Sequence, residues 1–152
     1  MKNLILITLL SIICNSAFGQ SNLKQKNFNL KNNLAIQGYD PVAYFTQNKA
    51  VKGNTGLSYN YQGVIYNFSS AENLNLFKQH PEKYEPAYGG WCAYAMGEKG
   101  EKVSINPSTF KIKDGKLYLF YNAWGTNTLT SWNEDEASLK KKADINWGKI
   151  FK

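Results

Sequence analysis

The residues able to do chemistry gather in one stretch. His80 is the single histidine, and Cys92 and Met96 follow it across a segment holding Pro81, Pro86 and the pair Gly89-Gly90. Cys92 and Met96 stand one helical turn apart, so a helix there puts both sulfurs on one face. The glycine hinge would let His80 fold back toward them. Thiolate, thioether and imidazole together suit Cu(I), or a Cu(II) site of the His-Cys-Met kind. Zinc would want more Cys or His than the chain owns. Such a site needs the two sulfurs and an imidazole nitrogen within about 5 Å of one another, facing a common space.

The same three residues have a plainer reading. Cys and Met are common core fillers, and a histidine before Pro81 can simply solvate a turn. A catalytic reading pairs Cys92 with His80 as thiolate and base. It lacks a recognisable oxyanion site and a third orienting group. No glycine-rich phosphate loop, paired-carboxylate motif or CxxC is present, so the expectation is a non-catalytic role. A third reading starts from the 10 Tyr and 4 Trp. Rings exposed in a shallow cleft would suit a sugar, a small aromatic or a partner protein, whereas rings on the strands fill a core.

Stepping outward from these residues, the first nineteen positions read as an export leader. Lys2 precedes an apolar run from Leu4 to Cys14, and Ala17 and Gly19 are the small residues expected before a cut at Gln20. The run is too short for a stable membrane anchor. Ile13 precedes Cys14 where a lipoprotein leader wants a small residue, so Cys14 leaves with the leader. The mature chain then keeps Cys92 and Met96 as its sulfurs and makes no internal disulfide. Its place is the periplasm or the outside of the cell. The formal charge is +7, and every basic residue is lysine. Absence of the arginine fork argues against nucleic-acid recognition.

Residues 20–33 read as a mobile lead-in, with Phe28 and Leu30 available for docking. A single domain follows over 34–152, a length suited to one core. A turn falls at Gly38 to Pro41. Ser58–Tyr61 and Val64–Phe68 flank Gln62-Gly63 as a hairpin, and Phe110–Lys113 and Lys116–Tyr121 flank Asp114-Gly115 as a second. Ser69 or Ser70 caps a helix over Ala71–Gln79, and Pro81 opens a further turn of helix. Cys92–Gly97 is helix-compatible. Ser131 caps a last helix in which Glu134 leads and Lys142 trails, matching the helix dipole, and Trp147 closes on the core. The fold class expected is α+β: two antiparallel hairpins with short helices packed on one side.

The passage Tyr61-x-Gly63-x-x-Tyr66-x-Phe68-Ser69, followed by Phe77-x-x-His80-Pro81-x-x-Tyr84, resembles the YHS domain. Gly38-Tyr39-Asp40-Pro41-Val42-Ala43-Tyr44-Phe45, Tyr88-Gly89-Gly90-Trp91-Cys92-Ala93, Asp114-Gly115-Lys116-Leu117-Tyr118-Leu119 and Ala143-Asp144-x-Asn146-Trp147 resemble the longer, exported bacterial proteins that carry it. The resemblance implies metal handling, copper included, since the domain occurs in copper-transporting ATPases with cysteines as the supposed ligands. The chain departs at those points. Ala43 stands where a metal-type member has cysteine, and Ser69 and Asn73 occupy the other expected thiol positions. Serine and asparagine are poor ligands for soft metals. The expected role is therefore non-catalytic binding, with copper held by His80, Cys92 and Met96 as the leading ligand. The alternative is a metal-free binding module for a small molecule or a protein partner.

Overall fold

The structure is a computed structural model that describes residues 21–152. The expected leader at 1–19, the expected cut before Gln20 and Cys14 lie outside the described residues. Residues 21–27 are helical (α1) and lead into strands β1 (Leu30–Lys31) and β2 (Leu34–Ala35). A short helix α2 (Ala43–Thr46) precedes the hairpin β3 (Asn54–Tyr61) and β4 (Val64–Phe68). Helices α3 (Ala71–Gln79) and α4 (Pro81–Tyr84) follow, then a glycine-rich crossing and α5 (Ala93–Lys99). The chain ends with the hairpin β5 (Asn106–Lys113) and β6 (Lys116–Phe120), a small hairpin β7 (Asn122–Ala123) and β8 (Thr126–Asn127), and helices α6 (Thr128–Glu134) and α7 (Glu136–Ile150). This is an α+β fold.

Both expected hairpins form at the expected turns. Tyr61 faces Val64 across Gln62-Gly63, and Lys113 faces Lys116 across Asp114-Gly115. Both central residues of each turn have positive φ, which matches the right-handed twist of the strands. The third hairpin turns at Trp124-Gly125 with the same backbone signs. There β2 pairs parallel with β4, giving a four-stranded sheet of order β1-β2-β4-β3. Ser70 caps α3 by accepting from the Asn73 amide at 3.1 Å.

Two apolar clusters share β6 as their wall. Leu117 and Leu119 face the cluster built on Val42, Tyr44, Val64, Tyr66, Phe68 and Phe77. Tyr118 and Phe120 face the other, with Met96, Trp132, Leu139 and Ala143. Strand alternation sends successive side chains to opposite faces, so a buried strand can serve two cores. The crossing runs alongside β6, with bridges at Pro86–Leu117 and Cys92–Leu119. Tyr88, Gly89 and Gly90 all have positive φ there. A Cβ on Gly89 would lie 2.6 Å from Phe28 and 2.9 Å from Trp147, so only glycine admits that approach.

The segment read as a mobile lead-in is built into the body over its described residues. Lys24 is 8% exposed and Asn27 is 4% exposed. Lys24 pairs with Glu85 at 2.6 Å, and Phe28 packs against Trp147 and Phe151. Its Asn- and Lys-rich composition hid partners that lie more than fifty residues away. The C-terminus also differs. Asn127, not Ser131, caps a helix, and a break at Asp135 separates α6 from a longer α7 that carries Trp147. No helix among the described residues is long and apolar enough to cross a membrane.

Helix α7 packs on α5 through Gly97, where a Cβ would fall 2.5 Å from the Leu139 carbonyl oxygen. Gly97→Ala is expected to cost about 1–3 kcal/mol through overpacking. Gly148→Ala, in the same helix pair but with nothing within 4 Å of the added carbon, is expected to be neutral or to stabilise by about 0.5–1 kcal/mol. Urea denaturation of the two variants beside the parent checks both.

Candidate functional site

Asp40 is the most heavily bonded side chain of the fold. It is 0% exposed. Pro41 keeps it from continuing a helix, and its Oδ1 accepts the amides of Val42 at 2.8 Å and Ala43 at 3.3 Å, seating the start of α2. Its Oδ2 accepts the Ser69 amide at 2.8 Å, the Ser69 hydroxyl at 2.6 Å and Asn73 Nδ2 at 2.7 Å. A buried carboxylate without a cation needs such donors to replace its hydration. Ala43, Ser69 and Asn73, the positions where a metal-type member would carry thiols, therefore do come together in space. Here they surround a carboxylate.

The proposed ligand trio is not brought together. Cys92 and Met96 are both 0% exposed, while His80 is exposed at the junction of α3 and α4. The two sulfurs also part from each other. Cys92 has extended φ/ψ and precedes α5 rather than belonging to it, so the same-face spacing of a helix does not apply to it. Its side chain joins the first apolar cluster, whereas Met96 joins the second. The Cys92 sulfur has polar company of its own. Sγ accepts the Tyr121 amide at 3.4 Å and lies 3.3 Å from Thr128 Oγ1. The Thr128 hydroxyl donates to the Tyr121 carbonyl at 2.9 Å, leaving the thiol as donor to Thr128. This closed ring of bonds ties the residue that follows β6 to the start of α6. No group of three or more His, Cys, Asp or Glu side chains converges among the described residues.

A cleft of about 410 Å³ opens between α1, the crossing and α7. Tyr88, Tyr118 and Trp147 line it together with Phe28 and Phe151. Three carboxylates also line it, Glu82, Glu85 and Asp144, and the last two are held in bonds. Glu85 accepts the Tyr66 hydroxyl at 2.8 Å and Lys24 at 2.6 Å. Asp144 accepts the Tyr88 hydroxyl at 2.9 Å and Lys140 at 3.0 Å. Burial, reinforced by the Glu85 carboxylate, holds the Tyr66 hydroxyl well above its usual range; burial and the Asp144 bond do the same for Tyr88. Both therefore act as fixed donors. Lys116, also at the rim, has no ion-pair partner among the described residues.

The turn expected at Gly38 to Pro41 contains Asp40 but does not connect it with Ser69 and Asn73. Nor did sequence reasoning find Lys24, Glu85 or Asp144, which pair across long separations. The available signal was indirect: Asp40 precedes a proline, and two polar residues, Ser69 and Asn73, follow an apolar strand at helical spacing.

Geometry of this kind defines a small α+β domain whose hairpin and helix are pinned to a buried carboxylate. The YHS domain family model matches residues 42–88 of the chain. No curated protein and no solved structure gives a significant match. The domain is generally associated with metal handling, copper among the metals. The residues present do not fit a soft metal. Asp40 already holds the donors at the positions where thiols would stand, the Cys92 thiol is hydrogen-bonded within the core, and His80 faces solvent.

Asp40→Ala is expected to destabilise by at least about 3 kcal/mol, because it strands buried donors. Ser70→Ala, which removes only the α3 cap, is expected to cost about 1 kcal/mol. Equilibrium unfolding of the two variants distinguishes them. The raised tyrosines give a pH dependence with a definite sign. Below the ordinary tyrosine value of about 10 both states are protonated and stability is full. Above it the unfolded chain ionises first, so stability falls as pH climbs toward the folded values. Thermal melts are expected to be flat to about pH 9.5 and to drop beyond. Phenolate absorbance of the buried tyrosines should rise in the same step as unfolding.

Proposed function

We propose that the chain is an exported, non-catalytic and metal-free binding module, and that the aromatic cleft takes a small aromatic anion. The leader read in the sequence supports export. The observation that carries the binding reading is the cleft itself: Tyr88, Tyr118 and Trp147 line one opening, with Lys116 at its rim free of a partner among the described residues. Its volume lies within the range of about 300–1,000 Å³ typical of small-molecule sites. Half-buried Phe28 and Trp147, set beside the buried Tyr88 and Tyr118, favour a planar apolar body, and the uncommitted lysine favours a negative head. The formal charge of +7 draws anions toward the surface. Catalysis is not part of the reading, since Glu85 and Asp144 are each occupied by a tyrosine and a lysine.

Amide-shift titration with a panel of small aromatic carboxylates, aromatic amines and aliphatic acids tests this. Aromatic carboxylates are expected to move resonances around Tyr88, Lys116 and Trp147. Lys116→Gln should weaken binding about three- to tenfold and flatten its salt dependence. Saturable copper uptake by the parent that Cys92→Ser abolishes would overturn the metal-free reading. Absence of any saturable shift at the cleft across the panel would overturn the choice of ligand and site.

A further inference from the structure

The open face of the four-stranded sheet carries a second concavity, remote in chemistry from the aromatic cleft. It encloses about 900 Å³ between the β1–β2 turn, Gln37, the start of β3, and Trp91 with Ser104. We propose that this groove binds a neutral carbohydrate.

Composition separates it from the other site. No carboxylate lines it, and Lys31 is its one charged side chain. Amides and hydroxyls, among them Asn32, Gln37, Ser58 and Asn67, share the lining with Leu30, Leu34, Ile65 and Trp91. A cation would find no anionic ligand there, and a polyanion would find a single lysine. Amides offer donor and acceptor together, and so do sugar hydroxyls, so the two match without any net charge.

The groove also has fixed parts. Asn67 is 5% exposed, lines the groove from β4, and has no side-chain hydrogen-bond partner among the described residues. Its amide atoms keep contact with solvent and stay available to a ligand, since the buried side-chain polar atom left unpartnered among the described residues is Asn27 Nδ2. Gln37 is anchored by its Nε2, which donates to the Ile105 carbonyl at 2.9 Å, so its Oε1 remains to accept. Trp91 Nε1 donates to the Asn27 carbonyl at 2.7 Å. The indole is thereby held with its N–H used, half-buried against the second apolar cluster and bordering the groove.

Backbone strain sits on the same wall. Ile36 and Gln37 have φ of 49° and 52° in succession. For a β-branched residue this conformation is unfavourable and persists only where surroundings impose it. Lys52 donates to the Gln37 carbonyl, and the Tyr39 amide donates to that of Ile36 at 3.0 Å, locking the loop. Across the groove, β3 breaks register with β4 between Asn54 and Ser58. Such bulges redirect side chains at sheet edges and beside sites.

Amide-shift titration of the full chain with neutral disaccharides and trisaccharides, uronic-acid oligosaccharides and an extended neutral peptide tests the proposal. Neutral oligosaccharides are expected to shift Asn32, Ser58, Asn67 and the Trp91 indole, with affinity unchanged by salt. Asn67→Leu keeps the side-chain size and should weaken binding at least tenfold while its melt shows a folded protein. Trp91→Ala should do likewise, and Lys31→Gln should leave affinity unchanged. Three results would overturn the proposal: no saturable shift from any neutral oligosaccharide, salt-sensitive binding of uronates alone, or a response to the peptide alone, which would mark strand addition at the β1 edge. Shifts at Trp147 without shifts at Asn67 would also overturn it and would bear only on the aromatic cleft.

Discussion

A carboxylate removed from water and left without a cation is the constraint on which this fold turns. Asp40 surrenders its hydration completely, and five donors from three parts of the chain replace it. Each donor is a fixed dipole, so the negative charge is stabilised by geometry rather than by a neighbouring positive charge. The arrangement holds only when the start of α2, the end of β4 and the first turn of α3 occupy definite places. The polar cluster therefore specifies how hairpin and helix meet, while apolar burial around Phe77 supplies the larger driving force. The same cluster sets Ser69 and Asn73 to bonding a carboxylate.

The remainder is organised by β6. Because it is buried on both faces, it divides the interior into two clusters and sends Cys92 and Met96 to opposite sides of that division. The glycine crossing beside it admits Phe28 and Trp147 to within contact of the backbone. Helices from opposite ends of the chain thus close over one segment, and the cleft between them is a product of that closure. Its walls come from α1, the crossing, β6 and α7, which have no proximity in sequence.

Local chemistry was legible in advance wherever a short segment dictates its own conformation. Gln62-Gly63 and Asp114-Gly115 need positive φ, and the flanking β-formers make each a hairpin. Ser70 before a helix-forming run and Pro81 at a helix start act within one turn. Failures fell where partners are remote. Residues 21–33 lack a strong pattern, yet Lys24 finds Glu85 and Phe28 finds Trp147. The shared face assumed for Cys92 and Met96 failed for a local reason with a tertiary cause. Cys92 donates its amide to Val103 and bridges Leu119, and this pairing keeps it extended and out of α5.

By itself the sequence determined the α+β class, the two main hairpins, the place of the capped central helix and the absence of cysteine at positions 43, 69 and 73. Those features follow from turn chemistry, strand alternation and residue identity, all of which act over a few positions. Only the tertiary structure decided that Asp40 gathers those substituted positions, that His80 stays in solvent while the sulfurs are buried apart, and that two unlike concavities open on the surface. These outcomes depend on which distant segments share a core. That choice is made by packing and hydrogen bonding across the whole chain, and no single stretch of it carries the information.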